Sequence, residues 1–354
     1  MRSGEEGNAE GPTRRTRMLV HARLAVAVAS WFCLAALALY WYLLATWGDR
    51  WWFATVLLYA PRWPSGIPLV ALVPLALWLS RRSLAPLAAG TLIFLGPVMG
   101  LCIPYAATST PTAFRLRVLT FNAEEGVASI ENIAELVRTF EPDVVALQER
   151  DRQRDNVWPE GWHVLADGEF LIASRFPLRD PRRFVCAHLK LPWPAKDALR
   201  CIVQTPGEDV PFCTVHLYSP RFGLQEVLDR QTIVAPARRL TLSEETDWRR
   251  RESEDLKEWL DGFDRPTIVA GDFNLPTDST IYQSCWSSFS NAFGIAGLGF
   301  GSTKISGTGW ASYGLRIDHV LLDTPRFACR HCWVGPDIGS DHRPLLADIE
   351  IRAP

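Results

Sequence analysis

Four places in the chain end an apolar run on side chains able to bind metal or move protons. They are Asn122 with Glu124, Gln148-Glu149, Asp272 with Asn274, and Ser340-Asp341-His342. His216, closing the run Cys-Thr-Val-His, and Asp318, inside Arg-Ile-Asp-His, add two more. Each has an ordinary reading by itself: a turn former, a solvated acid, a partner for Arg. Together they are a set of oxygen and imidazole donors without a thiolate, which suits Mg²⁺, Mn²⁺ or Ca²⁺ better than zinc. A hard cation that polarises a phosphoryl oxygen, beside groups that accept and donate protons, is the apparatus for hydrolysing a phosphate ester.

Such residues converge only if the elements bearing them end at one place, as strand ends do in α/β sheets. Leu116–Phe121, Val144–Leu147, Phe170–Ala173, Arg183–Leu189, Cys201–Gln204, Phe212–Leu217, His319–Leu322, Ala328–Val334 and Leu345–Ile351 read as strands. Ile130, Ile133, Leu136 and Val137 have helical spacing, and Asp247–Gly262 reads as a charged helix. The pattern is α/β with mixed strands and no internal repeat. Arg249-Arg250-Arg251 opens the charged helix and reads as a solvated face rather than a substrate clamp.

The first third differs. Residues 1–17 lack an apolar period and are expected to be disordered. Leu24–Trp47 is uncharged and long enough to cross ~30 Å of hydrocarbon, longer than the ~7–15 residue core of a cleaved signal. Trp63–Ser80 and Leu84–Tyr105 are two further apolar runs, and Trp51–Ala60 is short enough to read as interfacial. The expected organisation is a disordered basic stretch over 1–17, an all-α anchor with three transmembrane helices over 18–106, a linker over 107–115 and an α/β domain over 116–354. Arg14, Arg15, Arg17, Arg23 and the pair Arg81-Arg82 place their ends in the cytoplasm and the large domain outside it, at the plasma (inner) membrane. No protein partner is implied; the lipid bilayer is.

Charge narrows the substrate. Nine Arg and four acids lie in residues 1–114, leaving 28 basic and 35 acidic side chains beyond, a net of −7. That balance counts against long-range attraction to nucleic acid. Eight Cys are present, and outside the cytoplasm disulfides are permitted; Cys186 and Cys201, on runs that read as a hairpin, are the first pair expected to bridge. Cys329-Arg-His-Cys332 has no second such pair to complete a zinc site.

In order, LRVLTFNAEEG, PDVVALQER, SRFP, TVHLYSP, TIVAGDFN, RIDHVLL and GSDHRPL resemble the blocks of the endonuclease/exonuclease/phosphatase superfamily, over about Leu116–Ile351. The resemblance implies a DNase I-like four-layer αββα sandwich. The apolar first third is similar to the membrane-bound, teicoplanin-resistance-type branch, which implies a lipid-linked phosphate or pyrophosphate as substrate. It also implies Glu149 as main ligand for Mg²⁺ (or Mn²⁺), with Asn122, Asp341 and Glu124 nearby. Asp272 would activate water, Asn274 hold a phosphoryl oxygen, His342 be oriented by Asp318, and His216 donate to the phosphate or leaving oxygen. The choice of base between Asp272 and His342 stays open. Arg175, in SRFP, is a candidate substrate contact. A nuclease acting on DNA or RNA is the alternative, and it lacks a concentrated basic or aromatic stretch. A catalytically dead binding module is a third reading, opposed by the complete residue set.

Overall fold

The structure, a computed structural model, describes residues 14–105, 112–150, 158–186, 197–228, 236–263, 265–307, 309 and 312–352. The expected disordered stretch therefore lies mostly outside the described residues, as does the linker except for its end, where Thr112 already opens a strand. The chain forms two compact units, 1–42 with 62–99, and 43–61 with 100–354.

In the first unit, α1 (Arg14–Trp47, ending in the second unit) is the longest helix. It buries Val26, Cys33 and Leu37 against Leu69, Ala76 and Leu87, yet leaves Leu24, Val28, Trp31 and Phe32 more than half exposed. Among the described residues it is the helix long and apolar enough to cross a membrane. The second and third apolar runs give α3 (Ile67–Leu79) and α4 (Leu84–Ile93), of 13 and 10 residues, shorter than the ~20 of a usual span. Only with α2 (Trp52–Tyr59), across an 85° bend, does Trp63–Leu79 pass as a second span. The expected interfacial segment instead belongs to the second unit, where α2 buries Ala54, Leu58 and Tyr59.

The second unit is built from two six-stranded mixed sheets. Its strands are β1 (Thr112–Asn122), β2 (Val144–Gln148), β3 (His163–Asp167), β4 (Phe170–Ser174), β5 (Leu178–Phe184), β6 (Asp197–Gln204) and β7 (Asp209–His216). They continue with β8 (Ile268–Asp272), β9 (Ser290–Asn291), β10 (Lys304–Ser306), β11 (Tyr313–Leu315), β12 (Asp318–Leu322), β13 (Phe327–Val334) and β14 (Leu345–Arg352). One sheet has the order β13-β14-β1-β2-β4-β3 and the other β5-β6-β7-β8-β12-β9, with β10-β11 a separate ribbon.

Period-two alternation assigns the layers. Leu116, Val118, Val144 and Ala146 face Phe212, Ile268, Ala270 and Val320 between the sheets. The alternate residues Leu119, Phe121, Val145 and Leu147 turn outward onto Ile133, Leu136 and Val137 of α5 (Ile130–Phe140), which Ser129 caps through the Asn132 amide. On the far side, Val215, Val269 and Leu321 meet α7 (Pro236–Asp261) and α8 (Thr280–Cys285) through Leu256, Leu260 and Ile281. Helix, sheet, sheet and helix make the four layers. Two shorter helices, α6 (Arg221–Leu228) and α9 (Ala292–Ala296), complete the unit.

The expected bridge does not form: none of the eight Cys is in a disulfide. The β5–β6 hairpin exists, but its register sets Phe184 opposite Ala198, so Cys186 lies past the paired region and Cys201 is buried between the sheets. The Cys186 thiol donates instead to Asp255 Oδ2.

Candidate active site

Parallel pairing decides where the reactive side chains go. β1 and β2 run together and end with Asn122 opposite Gln148; β7 and β8 end with His216 opposite Asp272. The antiparallel β12 begins at the same edge, with Asp318 opposite Asp272. The two sheets are cross-linked here by Gln148, whose Nε2 donates to Thr120 Oγ1 and, across the sandwich, to Thr214 Oγ1 at 2.8 Å. That amide is a structural tie rather than a ligand.

Gly271 lets β8 deliver Asp272. Its φ is +150°, and a Cβ there would fall 2.1 Å from the Val215 carbonyl oxygen, so only Gly permits this approach. Phe273 is fully buried edge-on against Trp286, anchoring the turn that follows. Three residues at the edge, Glu124, Glu149 and Asn274, hold φ near +50°. Non-glycine residues reach that region at ~1–3 kcal/mol each, and such strain collects at functional sites.

Asp272 Oδ2 is the hub. Asn122 Nδ2 donates to it at 3.1 Å, and His342 Nε2 and His216 Nε2 lie 3.5 and 3.7 Å away. Its other oxygen, Oδ1, accepts the Asn274 amide at 2.9 Å. Glu149 Oε1 stands 3.5 Å from both Asn122 Nδ2 and His216 Nε2 and is the member most open to solvent, at 27% exposure. Asp318 Oδ2 takes the proton-bearing Nδ1 of His342 at 2.9 Å. Burial works against charge on His342, but Asp318 and Asp272 outweigh it and raise its pKa to about 9. His319, beside Asp318 in sequence, is different: burial lowers its pKa to about 3, and it is spent on Leu275 O and Asn291.

Asn122, Glu149, His216, Asp272, Asp318 and His342 are thus brought together. Asn274 is adjacent, with its Nδ2 bonded to the Leu217 carbonyl at 2.8 Å. Glu124 Oε2 accepts the Asp341 amide, and the Asp341 carboxylate pairs with Lys304 and faces Arg221 Nη2 at 3.6 Å. The other Asp341 oxygen, Oδ1, lies 3.8 Å from His342 Nε2, so Asp341 borders the cluster. Arg175 is not at the site: it follows β4 next to Ser174, which pairs with Val144 at the start of β2, and its Nε donates to Pro142 O. The whole length of β2 separates it from Glu149. Arg249 is a second correction; it is 2% exposed and bonded on several sides, not part of a solvated face. The sequence also hid Glu169, whose Oε1 holds His216 Nδ1 at 2.8 Å from the β3–β4 turn.

Donor chemistry fits a hard divalent cation. Asp272, Asp318 and His342 offer ligand atoms within 4.8 Å of one another. Inside that trio Asp318 is already committed to the His342 ring, so it works as a carboxylate–imidazole pair. Glu149, the member most open to solvent, is the better oxygen ligand for a Mg²⁺-like ion, while Asn122 turns Nδ2 toward Glu149 and Asp272 and gives Oδ1 to the Glu124 amide at 3.1 Å.

A sandwich of two mixed sheets that gathers carboxylates, amides and a charged imidazole at one edge defines a phosphoester hydrolase, of a class mostly dependent on metal. The sequence model of the Endonuclease/Exonuclease/phosphatase family matches residues 119–342, and the chain belongs to that family. No curated protein matches it. Similar solved structures include Danio rerio TDP2 complexed with a single-strand DNA product, at 15% identity, covering 67% of this chain and 99% of that one, TM-score 0.48. The 3′ phosphatase NExo from Neisseria, bound to a product DNA hairpin, is 17% identical over 67% of this chain and 100% of its own, TM-score 0.47. The human Nocturnin catalytic domain is 19% identical over 69% and 96%, TM-score 0.48. Likeness at this level says nothing of substrate.

Proposed function

We propose that the chain is a membrane-tethered, divalent-metal-dependent phosphohydrolase that cleaves a phosphate ester or pyrophosphate bond of a lipid-linked substrate outside the cytoplasm. The hydrolytic half of this reading rests on the cluster around Asp272 Oδ2. The lipid half rests on α1, whose apolar side chains face outward along a length sufficient for a bilayer. The Arg residues at its start favour a cytoplasmic N-terminus.

Each residue then has a task. Glu149 would lead in holding the cation, which when bound supplies positive charge to a phosphoryl oxygen. Because Asn274 holds Oδ1 of Asp272, Oδ2, which faces Asn122, His216 and His342, is the oxygen placed to orient water and take its proton. His342, charged at neutral pH, donates rather than accepts, which favours Asp272 as the base. The imidazolium opposes the charge that grows on the phosphate, held in place by Asp318. His216, aimed by Glu169, presents Nε2 toward the same space and is assigned to the phosphate or leaving oxygen. Water adds to phosphorus as the bond to the leaving oxygen breaks.

The test uses the full chain in nanodiscs with Mg²⁺ and again with EDTA. Phosphate release from polyprenyl pyrophosphate and phosphatidic acid is followed beside cleavage of single- and double-stranded DNA. Metal-dependent release from lipid with intact DNA is expected; efficient DNA cleavage without lipid turnover overturns the substrate class.

A further inference from the structure

The carbonyl oxygen of Asn274 points away from the hydrolytic cluster and is held from behind. It accepts Tyr59 Oη at 3.0 Å and Arg249 Nη2 at 2.8 Å, and Arg249 Nη2 also donates to Tyr59 Oη at 2.6 Å. Arg249 Nε reaches the Tyr218 carbonyl at 3.0 Å. One guanidinium therefore joins the turn after β8 to the loop after β7, the two segments that carry Asp272 and His216. Asp49 supports it from the other side: its Oδ1 lies 3.8 Å from Arg249 Nη1, while Oδ2 accepts Ser279 Oγ at 2.6 Å. Arg250 Nη2 donates to the Asp49 carbonyl. Arg249 and Asp49 are both buried.

We propose that Asp49, Tyr59 and Arg249 are positioning residues that lock the Asn274 turn, so that the stretch between the first two apolar helices is a working part of the catalytic unit. Asn274 sits at φ +50°, a left-handed conformation that Asn reaches more easily than most residues, and the donors on its carbonyl hold it there. Its amide, in turn, holds Asp272 Oδ1, and this leaves Oδ2 directed at His342 and His216. Two donors on the Asn274 carbonyl, one of them charged, fix the residue at its far end. Releasing them lets the turn relax and swings the Asp272 carboxylate, with no group lost from the site itself. The proposal rests on Asp272 being part of the hydrolytic cluster.

Tyr59→Phe is the cleanest perturbation, because the ring stays against Arg249 and only the hydroxyl disappears. Arg249→Lys keeps a cation but cannot reach the Asn274 and Tyr218 carbonyls together. Hydrogen exchange of full-length protein in detergent, read by mass spectrometry over the peptide spanning residues 268–276, needs no substrate. Exchange at Asn274 is expected to be about tenfold faster in Tyr59→Phe, the worth of one or two hydrogen bonds. Hydrolysis of p-nitrophenyl phosphate and bis(p-nitrophenyl) phosphate with Mg²⁺ is expected to show kcat reduced about tenfold with KM within twofold, and a larger kcat loss in Arg249→Lys. Exchange unchanged at Asn274, or a wild-type kcat in Tyr59→Phe beside an inactive Asp272→Asn, overturns the clamp. Full activity in Asp272→Asn would overturn the underlying site, and the clamp with it.

Discussion

Replacing Asp318 by Asn removes the negative charge 2.9 Å from His342 Nδ1 and leaves a side chain of the same shape. Burial is the largest influence on the charge of this imidazole and opposes it; Asp318 and Asp272 favour it, and Lys304 adds a smaller opposition. Their balance puts the pKa at about 9 against an ordinary 6.5, a difference of about 3 kcal/mol in favour of the charged form. A raised folded-state value stabilises the fold fully below pH 6.5, and that contribution is lost as pH climbs through about 9. Without Asp318, burial faces Asp272 alone and wins, so the pKa falls below 6.5. At pH 8 the charged fraction then drops from about 90% to less than about 3%, roughly thirtyfold. In EDTA, the ¹⁵N-imidazole resonances of His342 report this titration directly by NMR. With Mg²⁺ restored, kcat at pH 8 should fall and the alkaline limb of the pH profile should move to lower pH. A variant whose His342 still titrates near 9, or whose alkaline limb does not move, refutes the carboxylate–imidazole pairing as the source of the charge.

Glu169→Gln keeps the size of the residue that holds His216 but weakens its charge-assisted bond; kcat is expected to fall about tenfold, less than in His216→Ala, in a side-by-side assay. Gly271→Ala places a methyl group 2.1 Å from the Val215 carbonyl oxygen, which no rotamer relieves, so purification should return little folded protein and what survives should melt many degrees lower. Arg175→Ala should leave kcat/KM within twofold, since the residue stands at the far end of β2; a tenfold loss would contradict its placement. Glu149→Ala should raise the Mg²⁺ concentration needed for half-maximal activity at least tenfold, measured by titrating metal back after EDTA.

What the sequence made readable follows from which interactions are local. Asp272, Asp318 and His342 sit directly at strand ends or the loop beside one, and strand ends in this sandwich share an edge, so reading the ends found the cluster. The unbroken apolar run Val144–Leu147 likewise read as a strand, and in the sandwich one of its faces meets the other sheet and one α5. Arg175 misled because proximity to a motif does not say which end of a neighbouring strand it faces; antiparallel pairing of β4 with β2 sent it to the wrong one. Arg249 misled for a different reason. Its sequence neighbours are charged, and the groups that justify its burial, Tyr59 and Asp49, lie about 190 and 200 residues earlier. Glu169 occupies a tight hairpin turn, where an acid carries no signal beyond turn chemistry.

The catalytic unit is not continuous in sequence: residues 43–61 and 100–354 form it together. Asp49, bonded to Ser279, comes two residues after α1 ends at Trp47, a reach of at most ~7 Å. On the return, Cys102 and Tyr105 donate backbone hydrogen bonds to Gly299 and Ile295 within a few residues of Val98, where the last apolar helical turn stops. A fragment cut to begin at β1 would keep every strand and every reactive side chain, yet it would lose Asp49 and Tyr59, and with them the partners of Arg249 and Ser279. The boundary of the catalytic unit therefore lies well upstream of its first strand.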